Sequence, residues 1–237
     1  METLRRGLVI VLTLGVIAVQ AQSVEEIVSK HINALGGKDV LDKMKTVYVE
    51  SSVSFAGNPV SAISSTVFGK GSRTDVDFGG QKFIQTVSEK GGWMVAPGQN
   101  GATALPDEMV KASKMQYESG GALYNYASKG SKVVFLGKDT SGGGSYKLGL
   151  TTKDSISVTF YINVKTYLID KAINKMSVNG QDMLTTAIYS DYRKTDVGYV
   201  VAWTQQVILP QVTMDIKNTK VEVNKDIDEG IFEMPKN

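Results

Sequence analysis

The stretch Thr46-Val-Tyr-Val-Glu-Ser-Ser-Val-Ser-Phe55 decides the fold class. Val47, Val49, Val53 and Phe55 alternate with Tyr48, Glu50, Ser52 and Ser54. A period of two gives a strand with one apolar and one polar face. Gly57-Asn58-Pro59 then turns the chain into a returning strand, Val60 to Phe68. Thr74, Val76 and Phe78 alternate with Arg73, Asp75 and Asp77. Gly79-Gly80 turns into Lys82 to Ser88, and Trp93 to Ala96 follows as a fifth short strand. Tight turns between half-apolar strands describe an antiparallel meander.

Further along, the same alternation predicts strands at Lys132 to Gly137, Ser145 to Thr152, Ser157 to Val164 and Tyr167 to Val178. Three more are expected at Met183 to Arg193, Val197 to Leu209 and Val212 to Val223, with turns at Gly142 to Gly144, Asn179-Gly180 and Leu209-Pro210. Open sheets of more than about 10 strands curl or split. The expected fold is therefore mainly β, one curled antiparallel sheet of about 12 strands with a few helices covering its core. Pro97 to Ser131 interrupts the meander. Pro106 before Asp107 and Glu108 starts a helix carrying Met109 and Ala112. Gly120-Gly121 ends it, and Ala122 to Ser128 reads as another short helix.

Upstream of Thr46 the period is 3.6. Ser23-Val-Glu-Glu26 is a capping box, and Val24, Ile27, Val28, Ile32 and Leu35 follow at helical spacing before Gly36-Gly37. Lys38 to Lys43 reads as a second short helix. Earlier still, Arg5-Arg6, the apolar run Gly7 to Val19 and Val19-Gln20-Ala21 have the pattern of a cleaved secretory signal peptide. Residues 1–21 are thus expected to be removed, leaving residues 22–237 as a single domain. The run is shorter than the roughly 20 residues of a transmembrane helix, and the absence of cysteine leaves no lipidation point. The expectation is a soluble periplasmic protein, exported across the inner membrane, with no transmembrane segment after cleavage.

The chemistry is sparse. There is no cysteine and a single histidine, His31, which reads as a cation at the end of the first helix. A His-rich or thiolate metal site is excluded, and no metal or other cofactor is expected. Asp75 and Asp77 share a strand face with Arg73, which reads as a solvated face rather than a catalytic pair. Ser141-Gly-Gly-Gly-Ser145 lacks the Gly-Lys-Ser/Thr ending of a phosphate loop. With a formal net charge of +2 and scattered lysines, a nucleic-acid partner is not expected. Met94, Met109 and Met115 cluster around the helical interruption, where flexible thioethers suit either the plain filling of gaps in a core or an adaptable apolar surface. No nucleophile–base constellation is visible, so an enzyme is not expected.

Several segments together resemble the LolA/LolB-like family of outer-membrane lipoprotein-sorting proteins. They are Ala34-Leu-Gly-Gly37 with Met44-Lys-Thr46, Trp93-Met-Val-Ala-Pro97, Phe160 to Leu168, Tyr189-Ser-Asp-Tyr-Arg193 with Gly198, and Asn224 with Ile231-Phe-Glu-Met-Pro235. Asn163 stands where the family pattern has Asp, and Tyr167 where it has Gly. The resemblance implies an incomplete barrel of about 11 antiparallel strands with a helical lid and a hydrophobic cavity for acyl chains. It implies lipid, fatty acid or lipoprotein acyl chains as partners. Cavity candidates are the apolar faces Val47, Val49, Val53, Phe55, Trp93, Val95, Met109, Leu123, Phe160 and Ile162. The alternative is a non-catalytic envelope module whose cavity is filled by side chains and whose partners are envelope proteins.

Overall fold

A computed structural model describes residues 23–55, 57–178 and 181–235. The signal-peptide expectation and the Asn179-Gly180 turn lie outside them, as does the side chain of Phe55. Helix α1, Val24–Ala34, starts at Ser23, whose Oγ accepts from the Glu26 N–H at 3.1 Å. Ile27, Val28, His31 and Ile32 form its buried stripe. Gly36 and Gly37 then take φ of +121° and +87°, which side chains resist, and the helix stops. A Cβ on Gly36 would also sit 2.5 Å from the Gly198 main-chain oxygen, so this corner needs glycine twice over. Helix α2, Lys38–Lys43, follows with Leu41 fully buried.

Among the described residues, thirteen strands then form one antiparallel sheet. The first five are β1 (Thr46–Phe55), β2 (Asn58–Val67), β3 (Gly71–Asp77), β4 (Lys82–Ser88) and β5 (Gly91–Val95). A two-residue β6, Thr103–Ala104, follows; two residues carry no period, and the sequence did not signal it. After the interruption come β7 (Lys132–Asp139), β8 (Ser145–Thr151), β9 (Ser157–Asn163) and β10 (Ile169–Val178). The last are β11 (Gln181–Lys194), β12 (Val200–Ile208) and β13 (Thr213–Val223). Their spatial order is β6-β5-β4-β3-β2-β1-β13-β12-β11-β10-β9-β8-β7. The two halves of the meander therefore join at the β1–β13 pair, where Val49 opposes Val221 and Val53 opposes Ile216. Asn224, in the left-handed region at φ +60°, locks this seam. Its Oδ1 accepts the Lys45 N–H at 2.7 Å and its N–H donates to the Thr46 oxygen at 2.9 Å.

The sheet is curled but unclosed, with β6 and β7 as its two edges. Residues 105–131 run from one edge to the other across the concave side. They contain helix α3, Asp107–Ser113, and a 3-10 turn over Lys114–Tyr117. Residues 122–130 are consecutive turns instead of the expected helix. Positive φ at Gly120, Gly121, Asn125 and Gly130 breaks any helical repeat there. This lid is stitched down by Leu105 N–H to Gly92 oxygen and Gly69 N–H to Tyr117 oxygen, each 2.9 Å. Ser119 Oγ adds a bond to the Leu41 oxygen at 3.0 Å.

The main core lies between α1, α2 and the concave face of β8–β10, where Leu148, Leu150 and Ile162 are at most 1% exposed. Each such aliphatic side chain contributes roughly 1.5–3 kcal/mol of burial. A smaller core under α3 groups Val87, Leu105 and Tyr117.

Candidate functional site

Following the register from strand to strand gives the concave layer. Val49 opposes Ser64 and Val221, Ile216 opposes Gln205, and Gln205 opposes Tyr189. Asn174 opposes Thr185 and Val158, while Phe160 opposes Ala172. Directly opposed residues share a face, so all of these point toward the lid. They do not fill the space beneath it. A cavity of about 640 Å³ remains between this layer and the lid residues Ala112, Met115, Gln116 and Gly120 to Leu123. Its rear wall is His31 and Leu35 of the α1 segment.

Among the described residues, the lining includes no Asp, Glu, Lys or Arg. His31 is 3% exposed, and burial pushes its imidazole below the ordinary histidine value. Its Nδ1 donates to the Tyr167 oxygen at 2.8 Å. It is thus a neutral wall residue, which corrects the reading of it as a helix-end cation. The hydroxyls of Tyr189, Tyr192 and Tyr199 are held above the usual tyrosine range, chiefly by burial, and stay protonated. Tyr192 donates to the Ile169 oxygen at 2.7 Å. Ser51 donates to Asn218 Oδ1 at 2.8 Å, and Asn218 in turn donates to the Ala202 oxygen at 3.0 Å. Asn174 Oδ1 differs: it is buried and, among the described residues, lacks a hydrogen-bond partner.

A second, larger groove of about 780 Å³ runs along the outer flank of the lid and has the opposite character. Eight charged residues line it, with Lys114–Asp154 at 3.5 Å and Lys129–Glu118 at 3.2 Å. Met115 borders both spaces. Size alone would favour the outer groove as a ligand site. For an apolar ligand the inner cavity is the better host, because its walls carry no charge to desolvate.

Of the residues singled out from the sequence, Val49, Leu123 and Phe160 border the cavity. Val47, Val53 and Ile162 belong to the same concave layer but lie beyond it. Val47 and Ile162 are in the main core, and Val53 is buried opposite Ile216. Met109 packs in the small core beneath α3. Phe55 closes β1 opposite Asn58 and Met214. Trp93 and Val95 lie on the other side of the sheet. Thr86 opposes Trp93 and Arg73, whereas Val87 and Gly92 form the concave pair beneath Leu105. Trp93 is nevertheless 4% exposed, because the C-terminal 3-10 turn Glu229–Phe232 covers it. Its Nε1 donates to the Phe232 oxygen at 2.9 Å.

Arg73 stacks over Trp93 with its carbon 5.5 Å from the ring centre and grips Asp75 through two 2.8 Å bonds. The Asp75 carboxylate is therefore structural, part of a half-buried pair against the C-terminal turn where the sequence reading expected a solvated face. Tyr189, Tyr192, Ala187 and Asn174 were missed. Alternation along β11 marks Thr185, Ala187 and Tyr189, but Asp191 at φ +52° resets the period before Tyr192.

Among the described residues, no cluster of three or more His, Cys, Asp or Glu side chains is arranged to hold a metal ion. No helix there is long and apolar enough to cross a membrane. No protein-family model and no curated protein sequence matches the chain. Solved structures do. A LolA superfamily protein from Nitrosomonas europaea superposes with a TM-score of 0.60 at 12% identity, over 90% of this chain and 98% of that one. A DUF1329 family protein from Desulfovibrio piger gives 0.59 at 14% identity, over 90% and 98%. An outer-membrane lipoprotein-sorting protein domain from Vibrio parahaemolyticus gives 0.56 at 13% identity, over 87% and 94%. At such identities the likeness is one of architecture: this chain has the LolA-superfamily fold, an unclosed curled sheet with helices across its concave face.

Proposed function

We propose that the protein is a non-catalytic carrier for lipids or lipidated proteins, holding acyl chains in the cavity beneath the lid. The observation that carries this reading is the uncharged lining of that cavity. Its volume falls within the roughly 300–1,000 Å³ typical of small-molecule sites. Each methylene taken from water contributes about 0.8 kcal/mol, so a chain of ten buried methylenes gains roughly 8 kcal/mol before ordering costs. Val49, Leu123 and Phe160 form the wall against the chain, and Val47, Val53 and Ile162 continue the same apolar layer. Met115, unbranched and polarizable, adapts the roof to different tails.

The engagement of lining hydroxyls in hydrogen bonds within the wall supports binding without chemistry: Ser51 donates to Asn218, and Tyr192 to the Ile169 oxygen. The signal-peptide pattern of residues 1–21 supports a periplasmic site of action, and the continuous sheet supports a single domain from residue 22 onward. A cavity left open weighs against the module with a filled interior.

The test is to purify the protein from a bacterial periplasm, extract it with organic solvent and analyse the extract by mass spectrometry. Stoichiometric phospholipid, fatty acid or acylated peptide is the expected result. An empty extract, together with no uptake of a fluorescent fatty acid, would sink the proposal.

A further inference from the structure

The two edges of the sheet are unequal. At one end β6 has only two residues, and natural proteins blunt exposed edges in this way. At the other end β7 has eight residues. Its backbone bonds to β8, and among the described residues it makes no other main-chain hydrogen bond. Three consecutive apolar side chains on it face solvent: Val134 at 55%, Phe135 at 37% and Leu136 at 49% exposure. A long edge with an apolar middle is a template for another strand.

The register of β7 says which strand. Leu136 is an extra residue, since Phe135 opposes Leu148 and Gly137 opposes Lys147. In a regular strand Lys132 and Asp139, seven apart, would point to opposite faces. With the bulge they oppose Thr151 and Ser145, which are six apart, so both lie on the convex face. The ladder positions of β7 therefore read Lys132, Val133, Val134, Phe135, Gly137, Lys138, Asp139. Turned end for end, this row complements itself. Lys132 meets Asp139, Val133 meets Lys138, Val134 meets Gly137, and Phe135 meets its own copy, with every pair on a common face. Sliding the register by one position would instead oppose Lys132 to Lys138.

We infer that β7 is a dimerisation strand, pairing antiparallel with β7 of a second copy about a two-fold axis at Phe135. The interface is isologous and closes on itself, so it gives a dimer and not a fibre. Like charges directly opposed are unfavourable and opposite ones favourable. The two Lys132–Asp139 pairs select the register, and the two Phe135 rings meet at its centre.

The experiment is sedimentation of the purified protein, as the cell makes it, over a concentration series, with charge-reversed variants. The wild type is expected to be dimeric at about 10 µM. Lys132→Asp and Asp139→Lys are each expected to weaken association about tenfold, some 1.4 kcal/mol. The double variant is expected to restore it. Because the chain has no cysteine, Phe135→Cys supplies an independent reading. Residues on the axis lie within disulfide reach, so this variant is expected to oxidise to a covalent dimer, and Val133→Cys is not. A wild type that stays monomeric up to about 100 µM would overturn the inference. So would a dimer indifferent to both reversals, or one whose double variant is not rescued. Association measured with a delipidated sample keeps this result separate from that of the carrier proposal.

Discussion

His31 on α1 donates its Nδ1 proton to the main-chain oxygen of Tyr167 at 2.8 Å, tying the first helix to the β9–β10 turn. Tyr167 occupies the left-handed region at φ +58°, where the LolA/LolB-like pattern has glycine. Such a backbone costs a side chain about 1 kcal/mol or more. The ring compensates by stacking on Tyr146, with centroids 6.0 Å apart, and its hydroxyl accepts from Lys30 Nζ at 3.3 Å.

Burial of His31 makes the fold acid-sensitive in a particular window, and the hydrogen bond to the Tyr167 oxygen partly offsets it. The imidazole titrates near 6.5 when unfolded and lower when folded, because burial disfavours its charge. Below about pH 6.5 the unfolded chain binds the extra proton first, so stability falls as pH drops toward the folded value. Asp42, Asp139, Asp191 and Glu222, held below their ordinary values by hydrogen bonds, act only at lower pH. Urea denaturation at pH 7.5 and 5.5 is expected to show the loss, and His31→Gln is expected to flatten it. An equal pH slope in both proteins would assign it elsewhere.

The seam between β1 and β13 rests on Asn224. Asn224→Ala forces alanine into the left-handed region and removes the acceptor for the Lys45 N–H, a combined loss of about 2 kcal/mol. Asn224→Gly keeps the backbone comfortable and loses only the hydrogen bond, about 1 kcal/mol. Denaturant midpoints in this order are expected; an alanine variant as stable as the glycine one would contradict it.

Filling the cavity separates binding from folding. Ala187 borders the cavity from β11, and its neighbour Ile188 lies on the opposite face at 38% exposure. Ala187→Trp is expected to lower fatty-acid uptake at least tenfold, equivalent to about 1.4 kcal/mol, with the circular dichroism spectrum retained. Ile188→Trp is the control and should bind as the wild type does.

The convex face gives a prediction of its own. Phe232 is 7% exposed, its ring packs by Gly71, and its main-chain oxygen accepts from Trp93 Nε1. Phe232→Ala is expected to cost about 3 kcal/mol and to red-shift the emission of Trp93, measured in a Trp203→Phe background. Acyl ligands in the concave cavity should leave that emission unchanged.

Much of this architecture was legible because alternation and turn residues are local signals. Helix α1 with its Gly36-Gly37 stop, the span of β4 and the curled single sheet could all be read from residues 23–223. What could not be read depends on what covers a face. Trp93 and Val95 alternate as a buried pair should, but both sides of β4 and β5 are covered, one by α3 and the other by the C-terminal turn. Alternation reports burial and is silent on which side is buried. His31 looked like a terminal cation because its acceptor, Tyr167, is 136 positions away.

Joined into a ring through its termini and opened in the lid, the chain would run β7 through β13 and then β1 through β6. That order is the spatial order of the sheet, an unbroken up-and-down meander. The natural chain thus leaves its most sequence-distant pairing, β1 with β13, for the centre of the sheet. Loop-closure entropy makes such pairings slow, so the last strand synthesised governs when the sheet is complete. A circular permutant opened within residues 105–131 would form every strand pair between chain neighbours and should fold faster, at the expense of a roof split into two loose arms.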